Sequence, residues 1–109
     1  MNPWILLGAA IGLEVAGTVC LKLADGFAKP LPSALVFLFY GAAFTALVFA
    51  IRRIDVSVAY AIWSGVGTAA IAAVGMGLLG ELFSWSRVFW IAVIVAGVVG
   101  LQLDAARAG

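Results

Sequence analysis

The chain of 109 residues has no histidine and a single cysteine, Cys20. Without imidazole, and with one thiol, neither a transition-metal centre nor an internal disulfide framework fits the sequence. Charge is nearly as scarce, at 10% of residues, against about 25% in an ordinary soluble domain. The basic residues form no run and the net charge is +1, so nucleic acid is not an expected partner. No nucleophile–base pair or metal-ligand cluster is visible. The protein is therefore not expected to be an enzyme or to carry a cofactor.

What remains is apolar: 66% of residues are hydrophobic and the mean hydropathy is +1.24. A soluble chain of this size has too little interior to hide so much apolar surface. An integral membrane protein is the expectation, and the charges divide it into spans. Lys22, Asp25 and Lys29, with Pro30 and Pro32, form the first separator. Arg52, Arg53 and Asp55 form the second, and Glu81, Ser84 and Arg87 the third, while Asp104 and Arg107 end the chain. The predicted spans cover about 4–21, 33–51, 57–80 and 88–103, near the ~20 residues that carry a helix across ~30 Å of hydrocarbon. Backbone groups in lipid need internal partners, and polar and apolar residues do not alternate, which selects helices over a barrel. The expected architecture is all-α, one four-helix transmembrane domain over residues 1–109. The first span has no Lys or Arg ahead of it, and Gly17-Thr18-Val19 before Cys20 is a poor lipoprotein cleavage site. It is read as a retained helix rather than a cleaved signal.

Glu14 interrupts the first span without a nearby countercharge. A carboxylate at bilayer depth is costly, and such residues mark ion, proton or substrate pathways. Burial disfavours the charged form and brings a carboxyl toward proton exchange near neutral pH. A lone acid whose proton a cation can displace is enough to build an exchanger. By steps of three and four, Leu7, Ala10, Ile11, Gly17, Thr18 and Leu21 share its face. A second stripe joins Phe37, Tyr40, Phe44, Leu47 and Ile51, and a third joins Tyr60, Trp63, Gly67, Ile71 and Val74.

Trp4, Trp85 and Trp90 lie near span ends, as interfacial tryptophans do. Tyr40 and Trp63 lie deeper, where aromatic faces beside a carboxylate suit either an organic cation or ordinary packing. Tyr60 is shallower and fits belt or site. Gly65 and Gly67 fit either a conformational hinge or close packing. Gly97 and Gly100, with Ala92 and Ala96, suggest a helix-contact surface on the last span. Loops one and three carry Lys22, Lys29 and Arg87, against Arg52, Arg53 and Arg107 on the side of the termini. With three basic residues on each side, the positive-inside rule barely favours either orientation. The balance fits a weak single bias or a chain that inserts both ways up.

MNPWILLGAAIGLEVAGT, followed by LKLADGF and later by AYAIWSGVG, resembles the small multidrug resistance family over essentially the whole chain. That resemblance implies a bacterial inner-membrane transporter, an antiparallel homodimer of dual topology that exchanges protons for cationic compounds by alternating access. The family's essential carboxylate matches Glu14. Its substrate-lining positions match Tyr40, Tyr60, Trp63 and Ser64, and also Leu7, Ala10, Ile11, Gly17, Thr18, Phe44 and Leu47. Tyr40 and the late Leu101-Gln102-Leu103 resemble exporters of lipophilic quaternary ammonium compounds (the EmrE type) more than the guanidinium exporters. Trp4 stands where a tyrosine is usual, and Trp90 replaces a glycine of the fourth-span dimer motif, although Gly97 is kept. An inverted pair would supply the two halves that larger transporters carry as inverted repeats. Guanidinium or polyamine export is the alternative within the family. A passive cation channel, or a membrane subunit that transports nothing, is the alternative outside it.

Overall fold

The computed structural model of the chain describes residues 2–108, the side chains at 105, 106 and 108 aside. Among these residues there are four α-helices and no strand: α1 Pro3–Leu23, α2 Pro30–Ala50, α3 Val56–Leu78 and α4 Trp85–Ala108. All four are long and apolar enough to cross a membrane.

Local chemistry sets the helix ends. Asn2 caps α1 by accepting a hydrogen bond from the Trp4 N–H at 2.8 Å, with Pro3 opening the first turn. Pro30 and Pro32 read as a separator in the sequence, yet α2 starts at Pro30 rather than near 33. A first helical turn has N–H groups without intrahelical partners, so proline costs nothing there. The chain reaches Pro30 through a tight reversal in which Asp25, Gly26 and Phe27 have φ of 50, 68 and 67°. A left-handed phenylalanine is unusual. Phe27 is steadied by stacking on Phe37, with ring centroids 5.9 Å apart, while the Lys29 N–H donates to the Ala24 carbonyl at 3.2 Å.

α3 stops at Leu78 because Gly80, at φ 73°, turns the chain back. The Glu81 N–H then reaches the Gly75 carbonyl at 3.0 Å, satisfying a carbonyl of the last turn. The Glu81 carboxylate folds over Gly75, where a Cβ would strike it. Arg87 donates to the Leu82 carbonyl at 3.2 Å. Ser84 precedes α4, which opens at Trp85 rather than near 88, and its carbonyl accepts from the Val88 N–H at 3.1 Å.

The helices pair as two compact units, α1 with α2 and α3 with α4. In the first unit, Leu7, Ala10, Ile11 and Gly17 of α1 are buried, as are Val36, Ala43 and Ala50 of α2. The buried face of α2 is therefore not centred on its stripe of large residues. Phe37 and Phe44 are 69% and 52% exposed, while Tyr40 and Leu47 lie between the small buried residues. An all-apolar helix has no polar face to mark the side it leaves unpacked. Small residues then select the packing face because they let backbones approach. Leu21 likewise turns outward.

In the second unit, Ala59, Ile62, Gly65, Gly67 and Gly75 of α3 are buried. Val98 is the buried hydrophobic residue of α4 among those described, and it sits where a Gly65 side chain would have to go.

Candidate functional site

Glu14 lies mid-helix on α1 and is half-buried. Thr18 follows one turn later, so the α-helical repeat places its hydroxyl beside Glu14. Thr18 Oγ1 lies 3.0 Å from the Glu14 carbonyl oxygen and 3.1 Å from the carboxylate Oε1, and it can donate to either. On its other side, 2.7 Å away, is the Tyr40 hydroxyl, brought by α2. A threonine hydroxyl has one proton. When that proton serves Glu14, the tyrosine is the donor in the Thr18–Tyr40 pair.

Gly17 makes the meeting possible. A Cβ at this position would lie 2.5 Å from Tyr40 Cδ1, inside the ring's own volume. The packing of α1 on α2 therefore brings Glu14, Thr18, Gly17 and Tyr40 into one constellation. α2 contributes no Asp, Glu, Lys or Arg to it. The i to i+4 spacing of Glu14 and Thr18 signals the first of these bonds. The Thr18–Tyr40 link escapes a reading of the sequence because it depends on the register of α2. Leu7, Ala10 and Ile11 share the Glu14 face and are buried, whereas Phe44 is exposed.

The other expected site residues belong to the second unit. Tyr60 is 63% exposed and meets Trp63 edge to face, with centroids 6.1 Å apart and planes at 80°. Ser64 is exposed one turn beyond Tyr60, and its carbonyl accepts from the Thr68 hydroxyl at 2.6 Å. Ala61, Ser64, Gly65 and Thr68 face Ile94, Gly97, Val98 and Leu101 across an open groove of about 370 Å³. α3 runs as uninterrupted α-helix through Gly65 and Gly67, both buried. Gly65 has a packing reason for lacking a side chain, since Val98 occupies that space. Gly97 is exposed on α4, with nothing within 4 Å of where its Cβ would stand.

Residues 2–94 match the family model described as Small Multidrug Resistance protein. The chain belongs to that family. This member is 45% identical over 108 residues to multidrug resistance protein EbrB of Bacillus subtilis, covering 99% of this chain and 92% of that one. It is 44% identical over 104 residues to quaternary ammonium compound-resistance protein QacE of Escherichia coli, covering 94% of each. It is also 48% identical over 100 residues to the protein named uncharacterized membrane protein YvaE of B. subtilis, covering 92% and 84%. The family is one of transporters for small cationic substrates, not of enzymes. With its four spans, this member is a multi-pass protein of the bacterial inner membrane.

Proposed function

We propose that this family member exports lipophilic or aromatic cations, including quaternary ammonium and phosphonium compounds, in exchange for protons. The observation that carries the reading is Glu14, a half-buried carboxyl in the middle of an apolar helix, held beside the Thr18 hydroxyl, which in turn meets that of Tyr40. Relatives named for multidrug and quaternary ammonium resistance support the substrate class.

The mechanism follows from competition for one acid. A cation arriving from the cytoplasm neutralises Glu14 in place of its proton and rests against the Tyr40 ring. The family resemblance adds Tyr60, Trp63 and Ser64 as further substrate-lining positions. The working unit is an antiparallel homodimer whose α4 surface, Gly97 included, meets the partner. Each chain of the pair contributes its own Glu14 carboxyl. Gly65 and Gly67 let α3 change shape as the dimer exchanges its open side, and protons entering from outside release the cation.

The test is proton release from purified, weakly buffered protein on addition of tetraphenylphosphonium, with Glu14→Gln as control. Release by the wild type and none by the variant is the expected result. Release by guanidinium alone would move the substrate class to small planar cations. Cation flux with no proton movement would replace the exchanger with a channel.

A further inference from the structure

Thr18 Oγ1 touches three oxygens: the Glu14 carbonyl at 3.0 Å, the Glu14 carboxylate at 3.1 Å and the Tyr40 hydroxyl at 2.7 Å. Its single proton can fully serve one acceptor at a time. An ionised carboxylate oxygen is the stronger acceptor, so Glu14 in its charged form draws the Thr18 proton to Oε1. Thr18 then accepts from Tyr40, and the two bonds polarise each other. When a proton neutralises Glu14, the pull on the Thr18 hydroxyl falls. The helix carbonyl competes for its proton, and the bond from Tyr40 loosens.

We infer that Thr18 is a positioning residue that transmits the charge state of Glu14 on α1 to Tyr40 on α2, through its one hydroxyl. The inference rests on proton exchange at Glu14 and adds how Tyr40 registers it. Tyr40 is the one titratable side chain that α2 brings to this face. On α1 the other titratable groups are Cys20, half-buried, and Lys22, exposed in the last turn. Neither shares a hydrogen bond with the three partners among the described residues. With Glu14 ionised, Tyr40 is held against Gly17 with its hydroxyl engaged. With Glu14 neutralised, the ring is freer to move where an aromatic cation would meet it.

The chain's tyrosines are Tyr40 and Tyr60 and its glutamates are Glu14 and Glu81, so each signal can be followed separately. The experiment uses the full chain in lipid bicelles, with ¹³C at tyrosine Cζ and glutamate Cδ, titrated by NMR. Signals are assigned by their loss in Tyr40→Phe and Glu14→Gln. In the wild type, the Tyr40 signal should shift with the same midpoint as Glu14. Thr18→Val, which keeps the side chain's shape without the hydroxyl, should flatten Tyr40 while Glu14 still titrates. Thr18→Ser should restore the coupled shift. A Tyr40 signal that still follows Glu14 in Thr18→Val would overturn the connector, as would a flat Tyr40 beside a titrating Glu14 in the wild type. A Glu14 signal that never moves would instead overturn proton exchange, and the connector with it.

Discussion

At the residue scale, the proposed function concentrates on one carboxyl and the few atoms around it. Glu14→Gln keeps the size and most of the polarity of the side chain but removes the exchangeable charge. Coupled export and cation-induced proton release should vanish, while the helical circular dichroism of the protein stays unchanged. Glu14→Asp keeps the acid on a shorter stem. Because aspartate has the lower intrinsic pKa, transport should persist with its pH profile moved downward, measurable as proton-driven uptake into vesicles across a pH series. Gly17→Ala inserts a Cβ where the Tyr40 ring stands. Overpacking of that kind costs about 1–3 kcal/mol. The expected result is a lower thermal midpoint in detergent, relieved when Tyr40 is also replaced by a smaller residue. Glu14 is legible in the sequence because a lone acid in an apolar run has few innocent explanations. Thr18 is legible as a neighbour of that acid and by the family resemblance, whereas its bond to Tyr40 is not, since that partner comes from another helix.

At the element scale, four helices can be counted from the charges, but their facing cannot be read from the bulky residues. Hydrophobic stripes orient a helix in water because the opposite side is polar. α2 has no such side, so Phe37 and Phe44 are exposed and Val36, Ala43 and Ala50 take the contact. The helix starts drift for a different reason: Pro30 looks like a loop residue in the sequence, whereas its ring begins the helix. Gly65 belongs to this scale too. Gly65→Ala should weaken the pairing of α3 with α4, lowering the thermal midpoint in detergent, and Val98→Ala in the same chain should recover part of the loss. Full recovery of stability with transport still impaired would point to the hinge role of Gly65 rather than its packing role.

At the scale of the whole molecule, the balance of basic residues becomes a prediction about insertion. Arg52 and Arg53 lie together and exposed beyond the end of α2, on the side of the termini. Arg52 rests over the Phe49 ring at 5.9 Å. Replacing both with Ala leaves Lys22, Lys29 and Arg87 dominant and should fix a single orientation. Fusions reporting the location of the carboxyl terminus should then shift from both sides of the membrane to one. If the antiparallel dimer is the working unit, export should fall in step and return when a copy biased the other way is co-expressed. Wild-type fusions that report a single side would count against dual insertion from the outset. Length, composition and charge clusters reveal the membrane class because they are sums over the chain. Assembly is a relation between chains, and the balanced loops bear on it only indirectly.

Gly17 and Tyr40 share one parcel of volume, which the tyrosine ring now fills. Substitutions at these two positions should therefore be tied by a spatial rule. A lineage that acquires a larger residue at 17 can keep the helix pair only by shrinking the residue at 40. The reverse order would open a void beside the acid. Changes in drug spectrum that pass through this corner should arise as compensated pairs, with the first member of each pair seldom persisting alone.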